Sequence, residues 1–324
     1  MYYSNSVMTR PQSLLFIAAS SCLALMAIGY IYERVCEARD ARRHPAPGQL
    51  VSVGEHRLHL LCKGSVGPTV VIEQGAGEPA ALWWPVQDKV SVFARVCTYD
   101  RAGYGWSDAV EAPRTIQERA EELHTLLKNA NVPGPYILVA HSYGGFIVRW
   151  FAREHREDVA GLVLVDTAEE GAILRPDVLK FYSRVRIFPR VMSFAAHFGL
   201  PRALQYRFPS LAEQMWFVKP DEFSATADDL ASLALIKPPL SDPGGFGSLG
   251  DLPLIVIEHG QPFPGPFALL EKYWADGQKR LAALSTNGEL IVAQKSNHMI
   301  HLDQPDVVVS AIQKVHAAAR AARS

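Results

Sequence analysis

The sequence lacks an excess of charge of either sign, has few cysteines and contains no internal repeat. Its 324 residues include 32 Lys and Arg against 33 Asp and Glu, a net charge of −1, and 4 Cys. A near-neutral chain has no basic surface of the kind that binds phosphate backbones, so nucleic-acid-binding classes are excluded. With 48% hydrophobic and 20% charged residues, the composition indicates one globular core of about 250 to 300 residues with an appendage.

Charge is missing altogether from one stretch near the N-terminus, Leu14 to Ile31, with the sequence LLFIAASSCLALMAIGYI. A helix of this length, at about 1.5 Å per residue, approaches the roughly 30 Å thickness of bilayer hydrocarbon. We therefore expect a tail (1–13), a transmembrane anchor (14–32) and a linker (33–47). A cleaved signal peptide is the alternative, although the bulky residues after the apolar run make a poor cleavage site.

Two opposing signals leave open the side of the membrane on which the rest of the chain lies. The arginines flanking the apolar run are Arg10 before it and Arg34, Arg39, Arg42 and Arg43 after it. By the positive-inside rule, this asymmetry favours a cytoplasmic domain. However, Cys62 ends one predicted strand and Cys97 lies early in another, and a disulfide between them would indicate an oxidising compartment. Two free buried thiols are the equally weighted alternative.

The stretch PYILVAHSYGGFIVRW, residues 135–150, predicts a buried strand (Tyr136–Ala140), a sharp turn and a helix. The turn fits the small-x-Ser-x-small pattern of a nucleophile elbow, with Ala140 in place of the usual first glycine. In an elbow the serine, here Ser142, has a strained backbone, so the positions two before and two after it must be small. Gly144 meets that need. An ordinary strand-to-helix turn with a serine cap is the alternative.

A glycine-rich loop, Gln74-Gly75-Ala76-Gly77-Glu78-Pro79-Ala80, follows an apolar strand. Its G-x-G-x-x-A pattern is also that of a dinucleotide-binding turn, with Asp100 after a later strand as the ribose ligand. The acidic Glu78, however, stands where a cofactor phosphate would bind. We therefore interpret the segment as an oxyanion loop that offers the backbone N–H of Ala76, and we predict no nicotinamide or other cofactor.

Two candidate partners for Ser142 follow it in the sequence. Asp166 ends the predicted strand Val159–Asp166, at the edge of a parallel sheet where catalytic groups gather. His298 lies one loop after the last predicted strand and could reach the same edge. An aspartate that caps a turn and an ordinary loop histidine are the alternatives. His301, three residues further on, is expected to pack or to hydrogen-bond locally.

Residues 170–248 differ in composition from the chain on either side. Aromatic residues and arginine are frequent, the predicted helices are short, and proline-rich stretches close the segment. This composition predicts a helical cap inserted over an apolar pocket. The flanking segments 48–169 and 249–324 would then form the core.

With Ser142, Asp166 and His298 in that order on alternating strands and helices, the chain resembles the α/β-hydrolase superfamily over about residues 48–318. The motifs that carry the resemblance are Gln74-Gly75-Ala76-Gly77, Asp100-Arg101-Ala102-Gly103-Tyr104-Gly105-Trp106-Ser107, His141-Ser142-Tyr143-Gly144-Gly145, and Asn297-His298 before Leu302-Asp303-Gln304-Pro305. The resemblance implies an eight-stranded, mostly parallel sheet with an antiparallel second strand and helices on both faces. In that fold Cys62 and Cys97 would be plausible neighbours.

The sequence departs from the family's pattern at two positions. Ala140 replaces the first glycine of the elbow, which adds only one methyl group. Many members place the acid after the seventh strand, where this chain has Glu258 and no Asp in the loop. Some haloalkane dehalogenases place it after the sixth strand, which Asp166 matches. We therefore prefer Asp166 as the acid and keep Glu258 as the alternative.

The resemblance implies a serine hydrolase with Ser142 as nucleophile, His298 as base and Asp166 as the acid that orients it. The backbone N–H groups of Ala76 and Tyr143 would form the oxyanion hole. The expected substrate is a small molecule with a hydrophobic acyl group in an ester, lactone, thioester or amide. The expected partners are this substrate and a membrane bound through the N-terminal helix, with no metal. A catalytically idle small-molecule-binding protein on the same fold is the alternative.

Overall fold

The computed structural model describes residues 10–110, 114–207, 219–236 and 245–322. The chain divides into two compact units, one of Met1–Pro45 with Arg190–Phe223 and one of Ala46–Pro189 with Ser224–Ser324. Part of the expected tail (1–9) and two parts of the expected cap (208–218 and 237–244) lie outside the described residues.

The second unit contains an eight-stranded sheet, and helices occur in both units. The strands are β1 (Gln49–Ser52), β2 (Arg57–Lys63), β3 (Thr69–Glu73), β4 (Val96–Tyr99), β5 (Tyr136–His141), β6 (Val159–Val165), β7 (Leu254–His259) and β8 (Gly288–Ala293). The described α-helices are α1 (Arg10–Arg43), α2 (Trp84–Val90), α3 (Ile116–Asn129), α4 (Gly144–Glu154), α5 (Glu170–Ile173), α6 (Pro176–Val185), α7 (Ile187–Ala196), α8 (Leu200–Arg207), α9 (Pro220–Ser232), α10 (Glu271–Ala282), α11 (Ile300–Asp303) and α12 (Pro305–Ala321).

The strand order is β1-β2-β4-β3-β5-β6-β7-β8, with β2 antiparallel to both of its neighbours and the remaining pairs parallel. Strands β3 and β5 are buried along their whole length because their apolar residues are covered on both faces of the sheet. Cys62 of β2 lies directly opposite Cys97 of β4, and the two form a disulfide. The predicted fold class is confirmed.

Two apolar layers cover the sheet. On one face, the helices α3, α4 and α10 contribute buried side chains such as Leu123, Phe146 and Trp274. On the other face, α2 and α12 pack with Trp83 and Ile312 in the core. The strands β5, β6 and β7 are parallel neighbours, so their carboxyl ends lie at the same edge of the sheet.

The first unit contains α1, which includes the apolar run predicted as an anchor. By length and composition this helix could cross a membrane, and no residue of its apolar window is buried in the structure. The helix continues to Arg43, so most of the expected linker 33–47 is helical. It ends just before Pro45, a residue that cannot continue a helix.

Candidate active site

Ser142 lies at the tight turn between β5 and α4. Its φ of 48° is in the left-handed region, which a non-glycine residue adopts only under constraint. A Cβ on Gly144 would lie 2.6 Å from the carbonyl oxygen of Gln74, and one on Gly145 would lie 2.5 Å from Cβ of Thr167. Only glycine fits at either position, so the turn has the geometry of a nucleophile elbow.

The structure brings Ser142, His298 and Asp166 into one line of hydrogen bonds. Oγ of Ser142 is 2.9 Å from Nε2 of His298, and Nδ1 of His298 is 2.6 Å from Oδ2 of Asp166. Asp166 is fully buried, whereas Ser142 and His298 are partly exposed. A hydroxyl, an imidazole and a carboxylate are therefore in contact at a position that a small molecule can reach.

Asp166 is held by donors from several elements. Oδ2 also accepts from Nδ1 of His259 at 2.8 Å, and Oδ1 accepts from Nε1 of Trp274 at 2.8 Å and from the backbone N–H of His259 at 3.2 Å. Burial alone would raise the pKa of Asp166, but the hydrogen bonds from His259 and His298 outweigh burial and hold that pKa well below its usual range. The carboxyl group is therefore ionised and fixed in orientation.

Glu258, the alternative acid, lies at the end of β7 and does not bond to His298. Burial raises its pKa, partly offset by the neighbouring His259. The next residue along β7, His259, points to Asp166 instead. The loop in which many family members carry their acid thus supplies an imidazole that binds the acid from β6.

The loop predicted to be an oxyanion loop packs against the elbow and is held by side chains from the loop that follows β4. The guanidinium of Arg101 donates to the carbonyl oxygens of Gln74 at 2.8 Å and Gly75 at 2.7 Å. The backbone amides of Ala76 and Tyr143 donate no hydrogen bond to any described residue. Two backbone donors are therefore available for an anionic ligand.

His141, next to Ser142, forms a buried ion pair with Glu78. Its Nδ1 is 2.6 Å from Oε1 of Glu78, and its Nε2 is 2.9 Å from the backbone oxygen of His298. Both partners are acceptors, and a neutral imidazole has only one N–H, so both bonds require an imidazolium. Burial opposes this charge, but Glu78 raises the pKa of His141 above its ordinary value.

His298 has a depressed pKa. Burial is the main cause, and the positive charge of His141 acts in the same direction, whereas hydrogen bonding to Asp166 opposes both. Two aromatic rings pack beside the imidazole of His298. The distance between ring centres is 5.7 Å for Trp274 and 5.0 Å for Phe263. A neutral imidazole in this setting is suited to accept a proton from Ser142.

Two groups of described residues bring three potential metal ligands together, Glu78 with His141 and His301, and Glu121 with His124 and His155. In the first group, Glu78 already accepts hydrogen bonds from His141 and from the backbone N–H of Gly75. His301 stacks on Trp83 with ring centres 4.2 Å apart, and burial lowers its pKa to about 3. His301 therefore packs against a ring from a distant part of the sequence.

Comparison with known proteins identifies the family to which this chain belongs. A model of the alpha/beta hydrolase family matches residues 70–311. An uncharacterised protein of Bacillus subtilis (strain 168), YqjL, is 30% identical over 261 residues, which cover 79% of this chain and 87% of that protein. The chain belongs to the α/β-hydrolase family. The match begins within β3 and ends within α12, so it contains every candidate site residue.

Solved structures of other proteins share this fold. An enol-lactonase of Burkholderia xenovorans LB400 is 20% identical, with a TM-score of 0.62 and coverage of 82% of this chain and 99% of that one. A thermophilic esterase of Thermogutta terrifontis is 24% identical, with a TM-score of 0.60 and coverage of 83% and 98%. At these identities the likeness shows the fold.

Sequence reasoning missed four residues around the site: Glu78, His141, His259 and Trp274. Each contacts a residue far away along the chain, with separations of 63 residues for Glu78 and His141, 93 for His259 and Asp166, and 108 for Trp274 and Asp166. One local signal was available, because Glu78 is the one charged residue of an otherwise small, uncharged loop.

Proposed function

We propose that this α/β-hydrolase is a serine hydrolase that cleaves a carboxylic ester or a related acyl bond, such as a lactone, thioester or amide, through an acyl-enzyme. The main support for the proposal is a pair of consecutive hydrogen bonds. One joins Oγ of Ser142 to Nε2 of His298 at 2.9 Å, and the other joins Nδ1 of His298 to Oδ2 of Asp166 at 2.6 Å. Ser142, His298 and Asp166 are then the nucleophile, the general base and the acid that orients the base.

In the first half-reaction, Oγ of Ser142 attacks the carbonyl carbon as its proton passes to Nε2 of His298. The ionised Asp166 holds Nδ1–H and stabilises the imidazolium that forms. His298 then returns the proton to the leaving alkoxide, the bond between the carbonyl carbon and the leaving group breaks, and the acyl group remains on Ser142.

Water completes the cycle by the same route. His298 removes a proton from a water molecule, whose oxygen attacks the acyl carbon. The proton then moves to Oγ as the ester bond to Ser142 breaks and a carboxylic acid leaves. In both half-reactions the negative carbonyl oxygen would accept hydrogen bonds from the amides of Ala76 and Tyr143, each contributing about 3 kcal/mol to transition-state stabilisation.

Features of the chain outside this line support a hydrophobic acyl substrate and a membrane location. Phe263 and Trp274 lie beside His298, so the surroundings of the reacting atoms are apolar. The helix α1 would anchor the protein in a membrane, and the segment 170–248 would form a cap over the core of 48–169 and 249–324. An anchored hydrolase of this kind acts on small molecules that partition into lipid.

Turnover of p-nitrophenyl esters of graded acyl length tests this function. We expect the unmodified protein to hydrolyse them and Ser142→Ala to lose the activity while keeping its thermal unfolding temperature. Ser183→Ala, which changes an exposed serine of α6, is the matched control and should retain full activity. Equal turnover by Ser142→Ala and by the control would contradict the assignment, and a chain without turnover of any ester would favour the idle binding protein.

A further inference from the structure

The unit that contains α1 carries a second exposed apolar surface, on α7 and α8. The side chains of Val191, Phe194, Leu200 and Leu204 are between 38% and 64% exposed. Val191 and Phe194 are three residues apart on α7, and Leu200 and Leu204 are four apart on α8, which places each pair on one face of its helix. We call these four side chains the α7–α8 apolar surface.

The segment around this surface carries positive charge and no negative charge. Within this unit, residues 190–207 contain no Asp or Glu, and their arginines are Arg190, Arg202 and Arg207. Helices with apolar and aromatic side chains on one face and Lys or Arg around them are typical of membrane interfaces. A Lys or Arg residue near the surface of an anionic bilayer contributes about 1 kcal/mol to the free energy of membrane binding.

Contacts with α1 place this segment at one end of the apolar run. A Cβ on Gly29 would lie 2.5 Å from the backbone oxygen of Phe198, so glycine at that position lets the two backbones touch. Four residues after Phe198, the guanidinium of Arg202 pairs with Glu33 at 2.9 Å and with Asp40 at 2.7 Å. The segment therefore runs from the last turn of the apolar run towards the charged continuation of α1.

These contacts determine the depth of the segment relative to a bilayer that α1 crosses. Gly29 lies two residues before the end of the apolar run at Ile31, or about 3 Å along the helix axis. Phe198, which touches Gly29, is then at the boundary of the hydrocarbon, and Phe194 packs against Phe198 with ring centres 5.2 Å apart. An exposed phenylalanine at that depth faces lipid.

We propose that the α7–α8 apolar surface docks onto the interface of a bilayer that contains anionic lipid, beside the membrane-spanning α1. The proposal rests on the proposed role of α1 as an anchor. Direct contact with α1 favours lipid as its occupant, and so does the presence of arginines without any acidic residue in the segment 190–207. A second protein chain is the other possible occupant, and the experiment below separates the two.

Single-site fluorescence in the full-length chain measures this contact. The free thiols Cys22 and Cys36 are replaced with serine, and the Cys62–Cys97 disulfide is kept. The fluorophore NBD is attached at Phe194→Cys, and the protein is reconstituted into vesicles of phosphatidylcholine and phosphatidylglycerol. Phosphatidylcholine with a nitroxide near its headgroup quenches NBD that lies at the interface.

Two further labels make the result specific. Leu23→Cys lies in the apolar run and reports whether α1 is inserted. Val92→Cys is the matched control, because Val92 is an exposed valine, 86% accessible, in the unit without α1. We expect blue-shifted emission and strong nitroxide quenching at residue 194, a smaller effect at 194 when phosphatidylglycerol is omitted, and neither effect at residue 92.

A substitution on the same helix face provides a second test. Val191→Asp in the Phe194→Cys background should reduce quenching at residue 194, whereas Val92→Asp should leave it unchanged. Equal unfolding temperatures and equal ester turnover show that both variants are folded.

Each contrary result overturns the proposal in a recognisable way. Quenching at residue 23 but not at residue 194 would leave the anchor in place and remove the docking surface. A blue shift at residue 194 without nitroxide quenching would assign the surface to a protein contact. Absence of quenching at both positions would remove the anchor and the docking surface together, and would leave the hydrolase proposal to its own test.

Discussion

The imidazole of His141 donates a hydrogen bond to the backbone carbonyl of His298, 2.9 Å away, and the two rings lie 4.5 Å apart between centres. His141 is charged because Glu78 accepts its other N–H. A fixed positive charge at this distance disfavours protonation of His298 and so opposes the effect of Asp166. The pair thus keeps the proposed base neutral at a lower pH than its contact with Asp166 alone would allow.

Removing this charge should shift the pH dependence of hydrolysis. His298 must be neutral to accept the proton of Ser142, so kcat/KM rises as pH increases through its pKa. In His141→Gln that pKa should rise because the positive charge beside His298 is gone. The acid limb of the kcat/KM profile then moves to higher pH, and kcat/KM falls less above that limb than on it. His197→Gln, which removes an exposed histidine, should leave the profile unchanged. A loss of rate equal at every pH would show that His141 serves only to hold the structure.

The two candidate acids can be compared directly. Asp166→Asn should lower kcat by about three to four orders of magnitude, because the amide cannot stabilise the imidazolium and favours the wrong tautomer of His298. Glu258→Gln should change kcat only a few-fold, because Glu258 makes no bond to His298. The measurement is steady-state hydrolysis of one ester by both variants. A larger loss in Glu258→Gln would transfer the acid role to that residue.

Asp229 of α9 should be essential for stability. It is fully buried and lies 2.8 Å from Arg101, 2.9 Å from Arg119 and 2.8 Å from the hydroxyl of Tyr104. Asp229→Asn leaves two buried guanidinium groups without this counter-charge, and we expect it to lower the free energy of unfolding by about 3 to 5 kcal/mol. Urea unfolding in mild detergent, followed by tryptophan fluorescence, measures this difference.

The matched control for Asp229 is Asp306→Asn, which breaks the exposed pair between Lys89 and Asp306. Exposed pairs contribute little, so the control should cost less than about 1 kcal/mol. Equal effects of the two substitutions would mean that the buried cluster around Asp229 contributes no more than a surface pair.

Alkylation before and after reduction tests whether Cys62 and Cys97 form a disulfide, because the reagent adds only to free thiols. In denatured protein trapped directly from cells, a maleimide-polyethylene glycol reagent should add to two thiols, Cys22 and Cys36, before reduction and to four after it. Because disulfides persist in oxidising compartments, this pattern would put the hydrolase core on the oxidising side, against the arginine count around α1. Four adducts before reduction would instead agree with a cytoplasmic core.

Much of the fold could be predicted because it is encoded in short stretches. The uncharged aliphatic strands, the small residues around Ser142 and the glycine-rich loop each have a local pattern with a direct structural cause. The order of Ser142, Asp166 and His298 then matched a known arrangement of strands. The preference for Asp166 over Glu258 came from the resemblance, because some haloalkane dehalogenases place the acid after the sixth strand.

The surroundings of the site could not be predicted, because they depend on which strands become neighbours. The position of His259 beside Asp166 follows from the pairing of β6 with β7, which no local pattern reports. The continuation of α1 to Arg43 was missed for another reason. The polar composition after the apolar run indicated a linker, whereas its Glu, Ala and Arg residues also have high helix propensity.

The most direct test of the account is the site of covalent reaction with a fluorophosphonate, which labels only a serine whose hydroxyl is activated by a neighbouring base. Peptide mapping by mass spectrometry should find the adduct on Ser142, with little adduct in His298→Gln and none at that site in Ser142→Ala. An unlabelled protein, or labelling of Ser142 that is equally fast in His298→Gln, would contradict the claim that these residues form a working nucleophile and base.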